Sequence, residues 1–280
     1  GDCEQAKVRL NEYLNRFPDG AFLLNAHFYL GDCNYTTENY DDALESFKYI
    51  IKQPKNMFTE QALLGAGRIN FANENYRDAL DNYRELEKIA EIKNNVLEAR
   101  IGQMKCNYLL GNFDATIEAA NKLLLTEKIS YEMEREARYK IAKSYLALGE
   151  TEDALDEFRR VATEVTSNEG AEAKYRVIHI LYQKKDYDKA EEEIFEFIDL
   201  NTPHQYWMAK SFLVLADIYI ENEDYFQAGH TLQSIIDFYE NQDDGIVAEA
   251  KQKKEIVLEY EDEMNEVPAQ EDIEIDISEQ

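Results

Sequence analysis

Apolar residues recur along this chain in steps of three and four, in paired segments that are joined by short polar turns. In the second segment of a pair, a small residue precedes two large apolar ones, as in Ala43, Phe47 and Ile50. Such steps place side chains on one face of a helix. The first segment has the same spacing and ends at a Gly or polar turn such as Gly149. The pattern predicts helix–turn–helix pairs and no β-sheet.

The helix pair repeats six times. The small residue that opens each second helix, here called the anchor, recurs after 36, 37, 38, 36 and 38 residues. Self-similarity at this period is typical of stacked helical solenoids. The predicted fold class is therefore all-α, with six repeats whose anchors are Ala43, Ala79, Thr116, Ala154, Ala190 and Ala228.

These repeats resemble the tetratricopeptide repeat, which has a small residue, an aromatic residue, a Gly turn, an anchoring Ala and a large apolar residue. Tyr145, Gly149, Ala154 and Phe158 fill these roles in the fourth repeat, and Pro residues follow some second helices. The resemblance implies a right-handed superhelical solenoid that binds proteins and has no catalytic activity. The sequence departs from the family pattern at some positions, namely Met104, Ile178, Thr116 and Thr151.

The long repeats also resemble those of bacterial cell-envelope tetratricopeptide proteins, which favours a periplasmic or envelope location over the cytoplasm. The first residues read as the second helix of a repeat whose first helix is missing. We therefore expect a fragment of a longer protein. The expected organisation is a partial repeat at 1–20, six repeats at 21–243, a capping helix at 244–264 and an acidic disordered tail at 265–280.

Charge narrows the range of partners. The chain has 30 Lys and Arg against 58 Asp and Glu, a formal charge of −28. This charge repels phosphate backbones and argues against nucleic acid. No apolar run approaches the ~20 residues that span a bilayer, so we expect no direct membrane insertion within these residues.

The cysteine and histidine residues predict neither a metal site nor a catalytic site. Cys3, Cys33 and Cys106 show no metal-ligand spacing, and we interpret them as small buried residues or isolated thiols. The four His residues are scattered, and neither a phosphate-binding loop nor a nucleophile elbow occurs. The sequence therefore predicts neither a cofactor nor an enzyme. An enzymatic role would require a catalytic domain upstream.

A candidate binding groove emerges when the first helices are aligned on their anchors. The position eleven residues before the anchor is basic or titratable in the four central repeats and Asp in the outer two. Aromatic residues share this helical face. Such a surface suits an extended peptide that carries carboxylates. The predicted groove residues are Arg68, Lys105, Lys143, His179, Tyr108, Tyr139, Tyr175 and Tyr182.

A structural interpretation of the same residues stays open. The aromatic residues would then pack against the next repeat, and Glu98, Glu136 and Glu172, on three of the same helices, would neutralise the basic row in local ion pairs.

The tail has two further interpretations. It alternates Ile with acids over 272–277, so it either serves solubility or binds as a strand or in a basic groove.

Together these features predict a non-catalytic scaffold or adaptor that binds an extended, acidic protein or peptide partner in its groove. The alternative is a structural spacer in a larger envelope-associated array. The sequence does not define the partner's identity or the oligomeric state.

Overall fold

The structure is a computed structural model that describes residues 2–265. Within these residues all regular secondary structure is helical, as expected from the periodicity. The helices are α1 Cys3–Arg16, α2 Leu23–Thr36, α3 Tyr40–Ile51, α4 Thr59–Ala72, α5 Tyr76–Ile89, α6 Lys93–Leu109, α7 Phe113–Leu124, α8 Tyr131–Leu148, α9 Thr151–Val161, α10 Asn168–Gln183, α11 Tyr187–Asp199, α12 Gln205–Glu221, α13 Tyr225–Phe238 and α14 Ile246–Asn265.

The chain divides into two compact units, 1–157 and 158–280. In the first unit, α2 packs on α3, α4 on α5 and α6 on α7, and successive first helices α4, α6 and α8 also contact one another. In the second unit, α10 packs on α11 and α12, and α12 on α13. Each unit is therefore built from helix–turn–helix repeats, as predicted. The periodicity of the repeats does not predict this division between residues 157 and 158.

One backbone feature recurs in every repeat. Five residues before each anchor, a residue adopts a left-handed conformation with φ between 58° and 81°. The next residue donates its backbone N–H to a carbonyl near the end of the first helix, as Asn39 does to Asn34 at 2.8 Å. This bond satisfies an unpaired carbonyl at the helix end. The left-handed residues are Glu38, Glu74, Gly111, Gly149, Lys185 and Glu223.

The core of the first unit contains aromatic rings wedged between glycines. A Cβ atom on Gly67 or Gly102 would lie 2.9 Å or 2.4 Å from the ring of Tyr83. Phe47 lies in the same way between Gly31 and Gly65. Glycine is therefore required for the close approach of these helices, because a larger residue would collide with the ring.

Cys3 and Cys33 form a disulfide that joins α1 to α2, with their Cα atoms 5.2 Å apart. The interpretation of these two residues as isolated thiols is therefore wrong. It failed because the pairing depends on how α1 lies against α2, which spacing alone does not define. Cys106 is a buried free thiol, and burial raises its pKa to about 12.

The two terminal helices of the described chain differ in how they are held. No residue of α1 is fully buried. By contrast, α14 packs Ile246, Ala250 and Val257 into a core cluster with residues of α12 and α13, and its Val247 is also buried. The acidic tail from 266 onward and Gly1 lie outside the described residues, so the expectations of disorder and strand addition stay predictions.

Candidate partner-binding surface

In the first unit, the predicted basic row lies on first helices that contact one another. Arg68 is on α4, Lys105 on α6 and Lys143 on α8, at equivalent positions relative to their anchors. Because each helix of the row packs on the next, side chains from different repeats come within reach of each other. The structure thus brings neighbouring row residues onto adjoining helices.

Arg68 is held by a carboxylate from the next repeat. Its Nε and Nη2 each lie 2.5 Å from an oxygen of Glu98 on α6. These hydrogen bonds raise the pKa of Arg68. The Arg68 side chain is nevertheless 43% exposed, so the pair lies at the surface. Exposed pairs contribute about 0–1 kcal/mol, which leaves Arg68 open to exchange its partner.

Lys105 repeats this arrangement one step along the row. Its Nζ lies 3.1 Å from Oε1 of Glu136 on α8, and both side chains are about one-third exposed. The acid in each pair comes from the next first helix, not from the cation's own helix. The structure therefore agrees with the interpretation in which Glu98 and Glu136 offset the row.

In the first unit, the predicted groove residues Tyr108 and Tyr139 each lie beside a lysine side chain. Lys140 Nζ lies 4.0 Å from the ring centre of Tyr108, and Lys143 Nζ lies 5.5 Å from that of Tyr139. Both rings are half-buried. Cation–π contacts of this kind contribute about 0.5–1 kcal/mol at exposed sites. They hold the lysines of this face beside its aromatic rings.

In the second unit, Tyr175, His179 and Tyr182 all lie on α10. Tyr175 is only 8% exposed and stacks on Trp207 of α12, with ring centres 5.5 Å apart. It presents little area to a ligand, so packing accounts for this ring better than binding. Tyr182 is half-buried and tilts against Tyr187 at 5.7 Å.

The charge of His179 depends on pH, unlike that of the Arg and Lys residues in the row. Burial lowers its pKa below the ordinary 6.5, and the nearby charges of Arg176 and Lys210 lower it further, while Asp217 acts in the opposite direction. The imidazole is therefore mostly neutral at pH 7. Its ring centre lies 5.7 Å from that of Tyr175.

Sequence reasoning missed Lys210, which occupies the position that carries an acid in the three preceding repeats. Eighteen residues before each anchor stand Asn25, Gln61, Glu98, Glu136, Glu172 and Lys210. Reading this second row would have revealed both the acids that pair with the first row and the change to Lys in the last repeat.

Two further features of the described residues concern metal ions and membranes. Among the side chains that the structure describes, no three His, Cys, Asp or Glu residues cluster as metal ligands do. No helix within residues 2–265 combines the length and the apolar character that a membrane span requires.

A model of the tetratricopeptide repeat family matches residues 1–56 and 139–197. Among solved structures, the C-terminal part of a tetratricopeptide repeat protein from Cytophaga hutchinsonii is similar, with 14% identity and a TM-score of 0.63. The match covers 89% of this chain and 94% of that chain. The protein YrrB, described as having an unusual peptide-binding site, shows 16% identity and a TM-score of 0.51, with 71% and 95% covered.

A signal-transduction ATPase with a tetratricopeptide repeat sensor, from Pyrococcus horikoshii, is also similar, with 14% identity and a TM-score of 0.60. The match covers 92% of this chain and 44% of that protein. No curated protein sequence matches the chain. At these identities the structural likenesses establish the fold alone.

Proposed function

Because this chain is a tetratricopeptide repeat protein, we propose that it is a non-catalytic scaffold that binds an extended acidic segment of a partner protein along its first helices. The observation that carries the proposal is the row of cations beside tyrosine rings on contacting helices of the first unit. This row stands out in a chain whose formal charge is −28. The peptide-binding site named for YrrB is consistent with such a use of the fold.

The ion pairs of the row suggest how binding proceeds. A carboxylate of the partner replaces Glu98 on Arg68 or Glu136 on Lys105, so one charge-assisted hydrogen bond is exchanged for another. Each exchange is close to neutral in free energy. Affinity therefore arises from several exchanges along one peptide together with apolar contacts to Tyr108 and Tyr139.

Capture of partners from a native lysate tests this proposal. We expect wild-type protein to retain a specific partner that the Lys105→Glu, Lys143→Glu variant loses. The control is Lys52→Glu, Lys93→Glu, which makes the same change of charge at two exposed positions. Circular dichroism checks folding, and Lys105→Gln, Lys143→Gln provides a milder variant. Equal retention by the groove variant and the control would rule out this surface.

A second candidate function is that of a spacer in a larger cell-envelope array. The Cys3–Cys33 disulfide favours an extracytoplasmic location, because disulfides persist mainly in oxidising compartments. The full-length reading frame separates the two candidates. Many further repeats behind a signal sequence or a lipid-attachment cysteine would favour the spacer, whereas an open frame with few further repeats would favour the adaptor.

A further inference from the structure

Within each unit, the two rows of residues on the first helices form what we call the charge ladder. Each rung joins the residue eleven before one anchor to the residue eighteen before the next. In the first unit the rungs Arg68–Glu98 and Lys105–Glu136 are ion pairs of opposite charge. In the second unit the corresponding rung on α10 and α12 joins His179 to Lys210, and the acid is replaced by a base.

Nearby described acids of the second unit pair with other cations. Glu172 accepts a hydrogen bond from Arg176 at 3.1 Å, on its own helix. Asp217 pairs with Lys253 of α14, which also lies 3.8 Å from Glu249.

Lys210 itself has no carboxylate partner among the side chains that the structure describes, those of residues 2–260 and 262. Its Nζ lies 5.8 Å from the ring centre of Tyr175. The Lys210 side chain is partly exposed. A cation in this position can accept a carboxylate from outside without giving one up.

We infer that the His179–Lys210 rung is the anion-binding subsite of this protein, where an Asp or Glu side chain of an extended partner peptide completes the charge ladder. The inference rests on the proposed function and locates its strongest polar contact. At Arg68 and Lys105 an incoming carboxylate must displace a resident one. At Lys210 it has none to displace, so this rung gains more from the same ligand group.

Aromatic rings pack around the rung. The Tyr175 ring lies between His179, at 5.7 Å, and Trp207, at 5.5 Å between ring centres. Trp207 is oriented by its Nε1, which donates to Asn168 Oδ1 at 3.0 Å. Because α10 and α12 pack on each other, the two members of the rung are already positioned before a ligand arrives.

The subsite also predicts a direction of pH dependence. His179 faces the cations Arg176 and Lys210 and the acid Asp217, with Glu172, Lys253 and Glu249 paired close by. Its pKa is lowered, so the imidazole is neutral in the free protein at pH 7. A bound carboxylate stabilises the protonated form and raises this pKa. Peptide affinity should therefore rise as the pH falls through the His179 titration.

The test follows the His179 imidazole by NMR, with His179→Gln used for assignment. The probe is an acetylated and amidated Glu-Ile-Glu-Ile-Glu peptide, and the Gln-Ile-Gln-Ile-Gln peptide is its uncharged match. We expect the Glu peptide to raise the His179 titration midpoint and the Gln peptide to leave it unchanged. Lys210→Glu should raise the midpoint without any peptide and weaken the Glu peptide about tenfold.

Lys251→Glu is the matched control, because it makes the same charge change at an exposed position of α14. It should leave the affinity within about twofold of wild type, as expected for a screened surface charge. Lys210→Gln serves if Lys210→Glu does not fold.

The possible failures are distinguishable. If the Glu peptide binds but neither moves His179 nor distinguishes Lys210→Glu from Lys251→Glu, the subsite is wrong. If the Lys105→Glu, Lys143→Glu substitutions then weakened binding of the Glu peptide, the proposed function would still stand. If wild-type protein does not bind the Glu peptide at all, both are contradicted. If a Gln peptide with a free C-terminus raised the titration midpoint of His179, the subsite would bind a terminal carboxylate. The assignment to a side-chain carboxylate would then be wrong.

Discussion

The two units of this molecule use the same helix positions for opposite electrostatic arrangements. In the first unit, Arg68 and Lys105 each meet a glutamate from the following repeat. In the second unit, Lys210 takes the place of that glutamate, and burial together with the charges of Arg176 and Lys210 lowers the pKa of His179. A repeat array can therefore offset its own charges at some steps, as at Arg68 and Lys105, and place two basic residues at another. That last step is where a ligand gains most.

The terminal helices show a second contrast. The first unit holds α1 by the Cys3–Cys33 disulfide, since α1 buries no residue fully. The second unit holds α14 by burial of residues such as Val257 and by the Lys253–Asp217 ion pair. One terminal helix is therefore sensitive to redox conditions and the other to packing.

Reduction of the disulfide breaks this second contrast and should have the largest effect. A crosslink that closes a loop of this length contributes about 3–4 kcal/mol in the chain-entropy description. We expect reductant to release α1 and to speed hydrogen exchange of its amides while α14 stays protected. Mass-spectrometric hydrogen exchange measures both helices at once.

The control for reduction is the Cys3→Ser, Cys33→Ser variant. Its α1 should exchange rapidly whether or not reductant is present. If α1 of the oxidised wild type exchanges as fast as that of the variant, the disulfide does not hold this helix.

Glycine-to-alanine substitutions test how tightly the cores of the two units are packed. Gly102→Ala places a Cβ atom against the buried Tyr83 ring, at a distance of 2.4 Å before any relaxation. Overpacking should lower the free energy of unfolding by about 1–3 kcal/mol. Gly229→Ala is the match in the second unit, because its Cβ would lie 3.7 Å from Val257 in ordinary contact. There the gain in helix propensity should stabilise by up to about 1 kcal/mol.

Denaturant unfolding followed by circular dichroism measures both glycine variants. Similar midpoint shifts in the two variants would mean that the close approach around Tyr83 is not a constraint of the first unit.

Substitution of a single residue in a rung should change stability least. It tests the electrostatic difference between the two units most clearly. Glu98→Gln leaves Arg68 without its carboxylate, and we expect a loss of about 0.2–1 kcal/mol. Lys210→Glu adds the missing carboxylate and should stabilise by a similar amount, more at pH 6 than at pH 8. Added salt should reduce both effects.

Thermal unfolding of the two rung variants at both pH values checks these expectations. The direction of the pH dependence follows from His179, because burial and the nearby charges of Arg176 and Lys210 lower its pKa in the wild-type fold. The unprotonated form is favoured in that fold, so the His179 contribution to stability is lost as the pH falls below about 6.5. Destabilisation by Lys210→Glu at both pH values would contradict the ladder.

The fold was predictable because it depends on spacing. Anchors such as Ala43 and Ala154 and large residues such as Phe158 are buried as their periodicity required. The candidate site was less predictable, since ion pairs such as Arg68–Glu98 join different repeats. The pairing of Cys3 with Cys33 depended on helix packing in the same way. The right-handed superhelix, the acidic partner and the groove residues stay predictions.

Peptide binding by the first helices can be measured by fluorescence anisotropy of a labelled, amidated Glu-Ile-Glu-Ile-Glu peptide, titrated with wild-type protein at low and high salt. We expect saturable binding that weakens as salt rises, because the ligand is held by cations of the first helices. The matching Gln-Ile-Gln-Ile-Gln peptide should bind far more weakly. Equal binding of the two peptides, or no binding of either, would contradict the proposed function.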